Sequence, residues 1–208
     1  MFDVDGLLID TEPLWARAEE ALLARRGLPF TEEDRRRTVG RSIDATIRDY
    51  ANRMGLSPSA DASLRRELMS LVGPMYRAEA SPMPGAIEIV ERLGRRMPLA
   101  AATNTDRHLV EGALRRAGLL GAFTALVTAG DVARPKPAPD VYLEACARLG
   151  VAPPEAVGFE DSASGMAAAR AAGLWCIAVP DGPHVIVDDA DLVVSSLTDL
   201  IPSLSHSI

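Results

Sequence analysis

The residues best suited to chemistry lie at the start of the chain, where Asp3 and Asp5 are separated by one residue and followed by Gly6. In an extended backbone, residues i and i+2 project to the same side, so the two carboxylates are predicted to lie together at a strand end. Gly6 then allows the chain to turn. Two like charges this close are costly unless a cation or a proton compensates them. The pair is therefore expected to serve a cation or an acid–base reaction.

Further polar residues follow apolar runs that we interpret as strands. Thr103 and Asn104 end one run, Glu160 and Asp161 end another, and Lys136 lies on the connection after a third. Ligands of doubly wound parallel sheets bind outside the carboxyl ends of the strands, so these side chains and the N-terminal aspartates are predicted to share one rim. Oxygen ligands hold Mg²⁺, while a lysine and a hydroxyl neutralise a phosphoryl group. The combination indicates magnesium-assisted phosphoryl transfer.

The elements that must position these residues alternate regularly from about residue 85 onward. Short apolar runs are separated by segments with helical spacing of apolar residues, which is typical of a parallel sheet covered on both faces. The predicted strands are 99–103, 125–128, 156–159, 175–179 and 191–194, and the predicted helices are 85–97, 106–118, 140–149 and 162–173. The fold class is therefore α/β, a doubly wound, Rossmann-like parallel sheet.

Residues 12–81 differ from the rest of the chain, because they show helical periodicity and no convincing strand. The segment is predicted to form three helices: 13–26, a second with apolar residues from Ile43 to Met54, and a third with apolar residues from Leu64 to Val72. The third is expected to be interrupted near Gly73 and Pro74. We therefore predict an α/β core domain of residues 1–11 and 82–208, with an all-α cap domain of residues 12–81 inserted after the first strand.

The first strand is an irregular feature of this interpretation. A buried parallel strand usually carries several apolar residues, yet only Met1 and Phe2 precede Asp3. Either this strand is unusually short, or a few natural residues precede Met1. The sequence leaves both alternatives open.

The composition of the 208 residues is that of a soluble globular protein with a net charge of −7. Without a basic excess to neutralise phosphates, the chain is predicted to bind neither nucleic acid nor an anionic membrane. A small phosphorylated metabolite needs only a local positive site, so it remains the expected partner. We expect a monomer.

Cysteine and histidine residues give no sign of a further metal site. Cys146 and Cys176 lie in apolar runs, and the three histidines show no metal-ligand spacing, so structural or solvent roles are expected for His108, His184 and His206. The sequence shows no signal peptide and no apolar run of the length of a membrane span. A cytoplasmic location is expected.

Four motifs in order resemble those of haloacid dehalogenase superfamily phosphohydrolases with an α-helical cap. Each motif alone is weak evidence, but together they are specific and cover nearly the whole chain. The matching segments are Asp3-Val4-Asp5-Gly6, Thr103 at a strand end, Lys136-Pro137, and Phe159-Glu160-Asp161-Ser162.

The resemblance implies roles for the acidic residues. Asp3 is the expected nucleophile, which forms an aspartyl-phosphate, and Asp5 is the expected general acid and base. Mg²⁺ is expected to bind Asp3, the backbone carbonyl of Asp5 and Asp161, with Glu160 coordinating directly or through water.

The resemblance also implies how the phosphoryl group is held. Thr103 and the backbone of Asn104 are expected to bind phosphoryl oxygens. Lys136 is expected to offset charge between the nucleophile and the phosphate.

Within the resembling superfamily, Asp5 argues against a dehalogenase, which lacks the second aspartate. The segments 10–15 and 41–44 resemble those of the 2-deoxyglucose-6-phosphate and hexitol-phosphate phosphatase branch. A sugar- or polyol-phosphate phosphatase is therefore favoured over a β-phosphoglucomutase-like phosphomutase. The mutase branch has a histidine near the position of Trp15 and a basic residue near that of Ile43. Together with Arg41 and Asp44, these cap residues are the candidates for substrate specificity. A non-catalytic phosphate- or Mg²⁺-binding module is the further alternative, which the intact set of acids and lysine disfavours.

Overall fold

The computed structural model describes residues 1–38, 41–180 and 185–202, so His184 and His206 lie outside the described residues. The strands, in chain order, are β1 (Ile9–Asp10), β2 (Ser81–Pro82), β3 (Ala100–Ala102), β4 (Ala125–Val127), β5 (Val157–Glu160), β6 (Trp175–Ala178) and β7 (Leu192–Val193). The α-helices are α1 (Glu12–Ala24), α2 (Glu32–Thr38), α3 (Ile43–Arg53), α4 (Asp61–Glu79), α5 (Ala86–Gly94), α6 (Arg107–Arg116), α7 (Asp140–Leu149) and α8 (Ala163–Ala172).

The N-terminal segment lies at the centre of the main sheet. The backbone N–H of Phe2 donates to the carbonyl oxygen of Ala100 (2.9 Å), and that of Asp3 donates to the carbonyl oxygen of Phe159 (3.0 Å). Phe2 pairs in parallel with Ala101 on one side and with Phe159 on the other. Residues 1–3 therefore occupy a strand position between β3 and β5, although only two apolar residues precede Asp3.

The main sheet is parallel throughout its named pairs. β4 pairs with β3 on one side of the N-terminal segment, and β5, β6 and β7 follow on the other side. After the central segment the chain forms β3 and then β4 on one side of it, and it then crosses over to form β5, β6 and β7 on the other side. This reversal is the switch point at which doubly wound folds bind ligands.

Helices cover both faces of this sheet, as the alternation of side chains requires. Phe2 and Ala101 pack in one hydrophobic cluster with residues of α5 and α6. Met1, Ala100 and Ala102 pack in a second cluster with residues of α7 and α8. The α/β doubly wound fold class is therefore confirmed.

Helices α1 to α4 form the insertion between β1 and β2. These two short strands pair antiparallel, with Ile9 opposite Pro82 and Asp10 opposite Ser81, so the two connections to the insertion lie side by side. Helix α4 contacts α1, α3 and α6. The apolar residues of the insertion are continuous with the cluster on the α5 and α6 face of the sheet.

Helix α4 runs through Gly73 and Pro74 without a break, so the expected interruption is wrong. Pro74 has no N–H to donate to the carbonyl four residues earlier, and such a loss costs a helix about 3 kcal/mol. The neighbouring side chains Val72 and Tyr76 are buried, since α4 packs against helices of both the insertion and the core. Tertiary packing outweighs the local cost.

Helix α2 has no counterpart among the predicted helices. Its seven residues are all polar, and none is buried, so no apolar periodicity marks it. Thr31 begins the helix by accepting a hydrogen bond from the backbone of Asp34 (3.2 Å), and Arg53 of α3 binds the carboxylate of Asp34 (2.7 Å). Polar contacts with neighbouring elements therefore hold α2 in place. In the described part of the chain, no helix is long and apolar enough to cross a membrane.

Candidate active site

A buried lysine joins the carboxyl ends of three strands. Lys136, on the connection between β4 and α7, donates from Nζ to Asp3 Oδ1 (2.5 Å) and Glu160 Oε1 (2.6 Å). A third hydrogen bond reaches the carbonyl oxygen of Ala102 (2.8 Å) at the end of β3. The three protons of the ammonium group are thus all engaged. The structure places these residues, which are far apart in sequence, within one contact network.

Three carboxylates form what we call the carboxylate cluster: Asp3, Glu160 and Asp161. One oxygen of each lies within 4.8 Å of one oxygen of the others. Oε1 of Glu160 also accepts a hydrogen bond from the Tyr142 hydroxyl, whereas the buried Oε2 has no hydrogen-bond partner among the described residues. A buried oxygen without a donor is costly, and carboxylate oxygens are the ligands that Mg²⁺ prefers. The donor set therefore fits a magnesium ion.

Two glycines make room for the carboxylate cluster. A Cβ at Gly6, which has a φ of +77°, would lie 2.3 Å from Oδ2 of Asp161. A Cβ at Gly165 would lie 1.8 Å from Oε2 of Glu160. Ser162 begins α8 by accepting a hydrogen bond from the backbone N–H of Gly165 (3.2 Å). The glycines thus allow backbone and carboxylates to approach closely.

The electrostatics of the cluster show an excess of negative charge. Burial raises the pKa of Asp3 to about 8; Lys136 opposes this shift, and the charges of Glu160 and Asp5 add to it. Burial, followed by the charges of Asp3 and Glu160, raises the pKa of Asp161 well above its usual value. Burial alone would lower the pKa of Lys136, but the charges of Asp3 and Glu160 outweigh it and the net shift is upward. One ammonium group faces three carboxylates, so a further cation would be stabilised here.

The side chain of Asp5 accepts hydrogen bonds from three hydroxyls. Thr11 donates to Oδ1 (2.9 Å), Thr103 donates to Oδ2 (3.1 Å), and Tyr76 of α4 also donates to Oδ1. The indole N–H of Trp15 in α1 donates to the Tyr76 hydroxyl (2.6 Å). Asp5 is therefore connected to the helical insertion through two aromatic side chains.

Asn104 holds the loop that carries the lysine. Its Oδ1 accepts from the backbone N–H of Lys136 (2.8 Å), and its Nδ2 donates to the backbone carbonyl of Lys136 (3.1 Å). Thr103 accepts a hydrogen bond from the backbone N–H of Thr105 (3.1 Å). Thr103 and Asn104, which we predicted to bind phosphoryl oxygens, thus hold the surrounding loops in place.

A pocket of about 730 Å³, counting its open mouth, lies between the insertion and the sheet. Trp15, Arg41 and Ile43, which the sequence offered as specificity candidates, line it. Asp44 is not among the described lining residues; its carboxylate binds Arg65 at the surface (3.1 Å). The core side of the pocket is lined by Asp3, Asp5, Thr103, Asn104, Lys136, Asp161 and Ser162.

Sequence reasoning missed three residues of this region: Glu19, Tyr76 and Tyr142. The two tyrosines occur on faces with other buried apolar residues, where an aromatic side chain is ordinarily part of the core. Glu19 could have been found from the sequence. It follows Trp15 by four positions, so it is an acidic residue on a helix face that also buries Ala18.

Glu19 is a buried carboxyl group of the cap, with 3% of its surface exposed. Its Oε2 accepts hydrogen bonds from the hydroxyls of Tyr50 (2.9 Å) and Thr38 (3.1 Å). Burial raises the pKa of Glu19 to about 7; the two hydroxyls oppose the shift, and the charge of Asp34 adds to it. Ionising this group in the folded protein is therefore costly.

We expect Glu19→Gln to change how stability depends on pH. Because the folded protein holds the Glu19 proton up to a pKa of about 7, the wild type loses stability as the pH rises from the usual value of 4.5 through 7. Glutamine keeps an oxygen for Tyr50 and Thr38 but has no proton to lose. We expect the free energy of unfolding of the variant, measured in urea, to rise relative to that of the wild type by up to about 3 kcal/mol between pH 5 and pH 8. Glu20→Gln, at the exposed next position, is the matched control, and a constant difference at all pH values would contradict this expectation.

Comparison with known proteins identifies the family. Residues 1–179 match the family model of haloacid dehalogenase-like hydrolases. The chain is 35% identical to hexitol phosphatase B of Escherichia coli (strain K12), with 96% of this chain and 92% of the relative covered. It is 32% identical to validoxylamine A 7'-phosphate phosphatase of Streptomyces hygroscopicus subsp. limoneus, with 96% and 94% covered.

A solved structure shares the fold over nearly the whole chain. The crystal structure of CbbY from Rhodobacter sphaeroides in complex with phosphate aligns with a TM-score of 0.86 and 29% identity, covering 96% of this chain and 94% of that one. The protein therefore belongs to the haloacid dehalogenase-like hydrolases, and it is a phosphoric monoester hydrolase with a helical cap.

Proposed function

We propose that this protein is a Mg²⁺-dependent phosphatase that hydrolyses sugar or polyol phosphates through an aspartyl-phosphate. The observation that carries the proposal is the position of Asp3, whose carboxylate lines the pocket while Lys136 and the carboxylate cluster surround it. The names of the two phosphatase relatives support the substrate class.

Asp3 is the nucleophile in this proposal. Its free carboxylate oxygen attacks phosphorus, and the bond from phosphorus to the ester oxygen breaks. Lys136 binds the other oxygen of Asp3 (2.5 Å), which fixes the carboxylate and offsets the charge that collects on the phosphoryl oxygens.

Asp5 acts as the general acid in the first step and as the general base in the second. In the first step its carboxyl group protonates the departing alkoxide, and in the second its carboxylate takes a proton from the water that attacks the aspartyl-phosphate. This attack releases inorganic phosphate and restores Asp3. The hydroxyls of Thr11, Thr103 and Tyr76 hold Asp5 for both steps. A positioned acid–base group of this kind contributes about 10²–10⁴-fold to a rate.

Asp3, the backbone carbonyl of Asp5, Asp161 and Glu160 are the residues that would hold Mg²⁺. The ion would neutralise phosphoryl oxygens as phosphorus is transferred. In this proposal the cap, residues 12–81, encloses the leaving group and excludes water from the reacting atoms.

A direct assay tests this function. Purified protein is incubated with a panel of sugar and polyol phosphates, with p-nitrophenyl phosphate as a general ester, and with Mg²⁺ or with EDTA. We expect inorganic phosphate to be released only with the metal. No release from any ester would favour a non-catalytic phosphate- or Mg²⁺-binding module. Incubation with β-glucose 1-phosphate and a trace of its bisphosphate separates the mutase alternative, since glucose 6-phosphate accumulating faster than free phosphate would show a mutase.

Metal binding has its own readout, which does not require turnover. A ligand at 100 times its dissociation constant stabilises the folded state by about 2.7 kcal/mol. For a chain of this size we therefore expect Mg²⁺ to raise the melting temperature by about 5–10 °C. Asp161→Asn should remove most of this shift. Asp189→Asn is the control, because Asp189 is half-exposed and lies beside Arg170 near the far end of α8. An equal shift in both variants would place the metal elsewhere.

A further inference from the structure

The pocket has a second wall, which is formed by residues of the insertion. This wall contains Trp15 and Glu19 of α1 together with Thr38 of α2. Trp15 and Glu19 are four residues apart, so they project from the same side of the helix. Asp3 and Lys136 line the same cavity, so the alcohol portion of an ester bound there would share the cavity with these residues.

The hydrogen bonds of Glu19 are distributed unevenly over its two oxygens. The hydroxyls of Tyr50 and Thr38 both donate to Oε2. Within residues 1–38, 41–180 and 185–202, no group donates a hydrogen bond to Oε1, and no cation forms an ion pair with this carboxylate. A carboxylate can accept about four hydrogen bonds, so Glu19 keeps unused acceptor capacity on the wall of the pocket.

The surroundings of Glu19 favour a neutral hydroxyl group. Two arginines line the same pocket. Arg41 is engaged with Asp49 (3.2 Å), and Arg35 forms no ion pair with Glu19 in the described part of the chain. Burial raises the pKa of Glu19 to about 7, so near neutral pH the group exists both as carboxyl and as carboxylate. A hydroxyl suits both forms, because it donates to the carboxylate and accepts from the carboxyl.

We propose that Glu19 is a specificity-determining residue whose Oε1 forms a hydrogen bond with a hydroxyl group of the leaving alcohol. This inference rests on the proposed phosphatase function and narrows its substrate class: Glu19 selects phosphate esters of polyhydroxylated alcohols over esters whose alcohol has no further hydroxyl. A binding site built around a hydroxyl discriminates strongly against an analogue without it, because its buried polar group is then left unpaired.

The test compares two esters of alcohols of the same chain length, sorbitol 6-phosphate and n-hexyl phosphate. For the wild type we expect a higher kcat/KM with the hexitol ester. Glu19→Ala should lower kcat/KM for sorbitol 6-phosphate by about 10- to 100-fold, because a buried hydroxyl of the substrate is left unpaired. The same variant should change kcat/KM for n-hexyl phosphate less than about 3-fold. The preference for sorbitol 6-phosphate over n-hexyl phosphate should therefore be largely lost.

Two further variants control for structure. Glu19→Gln retains an acceptor for Tyr50 and Thr38, and we expect it to lose part of the preference while unfolding as cooperatively as the wild type. Glu20→Ala, at the exposed neighbouring position, should leave both esters unaffected.

The outcomes separate this inference from the function on which it rests. An equal loss with both esters in Glu19→Ala would show that Glu19 only supports the cap, and no loss with either would show that it does not contact the substrate. Both results overturn the inference about Glu19 and do not contradict the proposed phosphatase function. If the wild type hydrolyses neither ester nor p-nitrophenyl phosphate, the proposed function itself is overturned, and the inference with it.

Discussion

Asp3→Asn is expected to reduce phosphate release from a hexitol phosphate by about 10⁴-fold or more, the scale seen when the nucleophile of a covalent mechanism is removed. The amide has nearly the volume of the carboxylate and can still accept a hydrogen bond from Lys136. It cannot supply the oxygen nucleophile, however, so no aspartyl-phosphate forms. The measurement is kcat at saturating Mg²⁺ and substrate, with release of inorganic phosphate as the signal.

The control for Asp3→Asn is the same substitution at Asp189, which lies away from the pocket. We expect it to keep the wild-type rate. The folded state of the Asp3 variant should also be intact, because one charge fewer in the carboxylate cluster relieves repulsion among buried acids. Wild-type activity in a correctly folded Asp3→Asn protein would refute the nucleophile assignment.

The sheet and its rim were predictable from the sequence for a physical reason. Uniformly apolar runs such as 99–103 can be buried on both faces only in a parallel sheet, and parallel order puts all the carboxyl ends at one edge. Helix α7 begins at Asp140 and ends at Leu149, as predicted, because Gly150 adopts the left-handed conformation that ends a helix.

The contacts between the cap and the core were not predictable in the same way. Tyr76 lies 71 residues after Asp5, and its hydrogen bond to that aspartate follows from how α4 packs against α1 and α6. Local periodicity shows that Tyr76 is on a buried face but not what it meets there. The same holds for Tyr142 and Glu160, which come together only because α7 packs on the sheet against β3 and β4 and beside α8.

Lys136→Met is expected to destabilise the protein by about 3–5 kcal/mol, the usual cost of removing one partner of a buried ion pair. Lys136 is 4% exposed, and it forms ion pairs with both Asp3 (2.5 Å) and Glu160 (2.6 Å). Without the ammonium group, three carboxylates remain buried with no cation among the described residues that touches them. Urea unfolding in EDTA at neutral pH measures the loss.

The matched control is Arg134→Met, two residues earlier, where the side chain is 70% exposed and pairs with Asp140 at the surface. We expect little change there, since solvent already screens that ion pair. Because a divalent ion at the carboxylate cluster would supply some of the missing positive charge, Mg²⁺ should stabilise Lys136→Met more than it stabilises the wild type. Equal stability of Lys136→Met and the wild type in EDTA would mean that the carboxylates of the cluster are neutral without the lysine. The carboxylate cluster would then need no cation to compensate its charge, and the electrostatic argument for a metal ion at this position would fail.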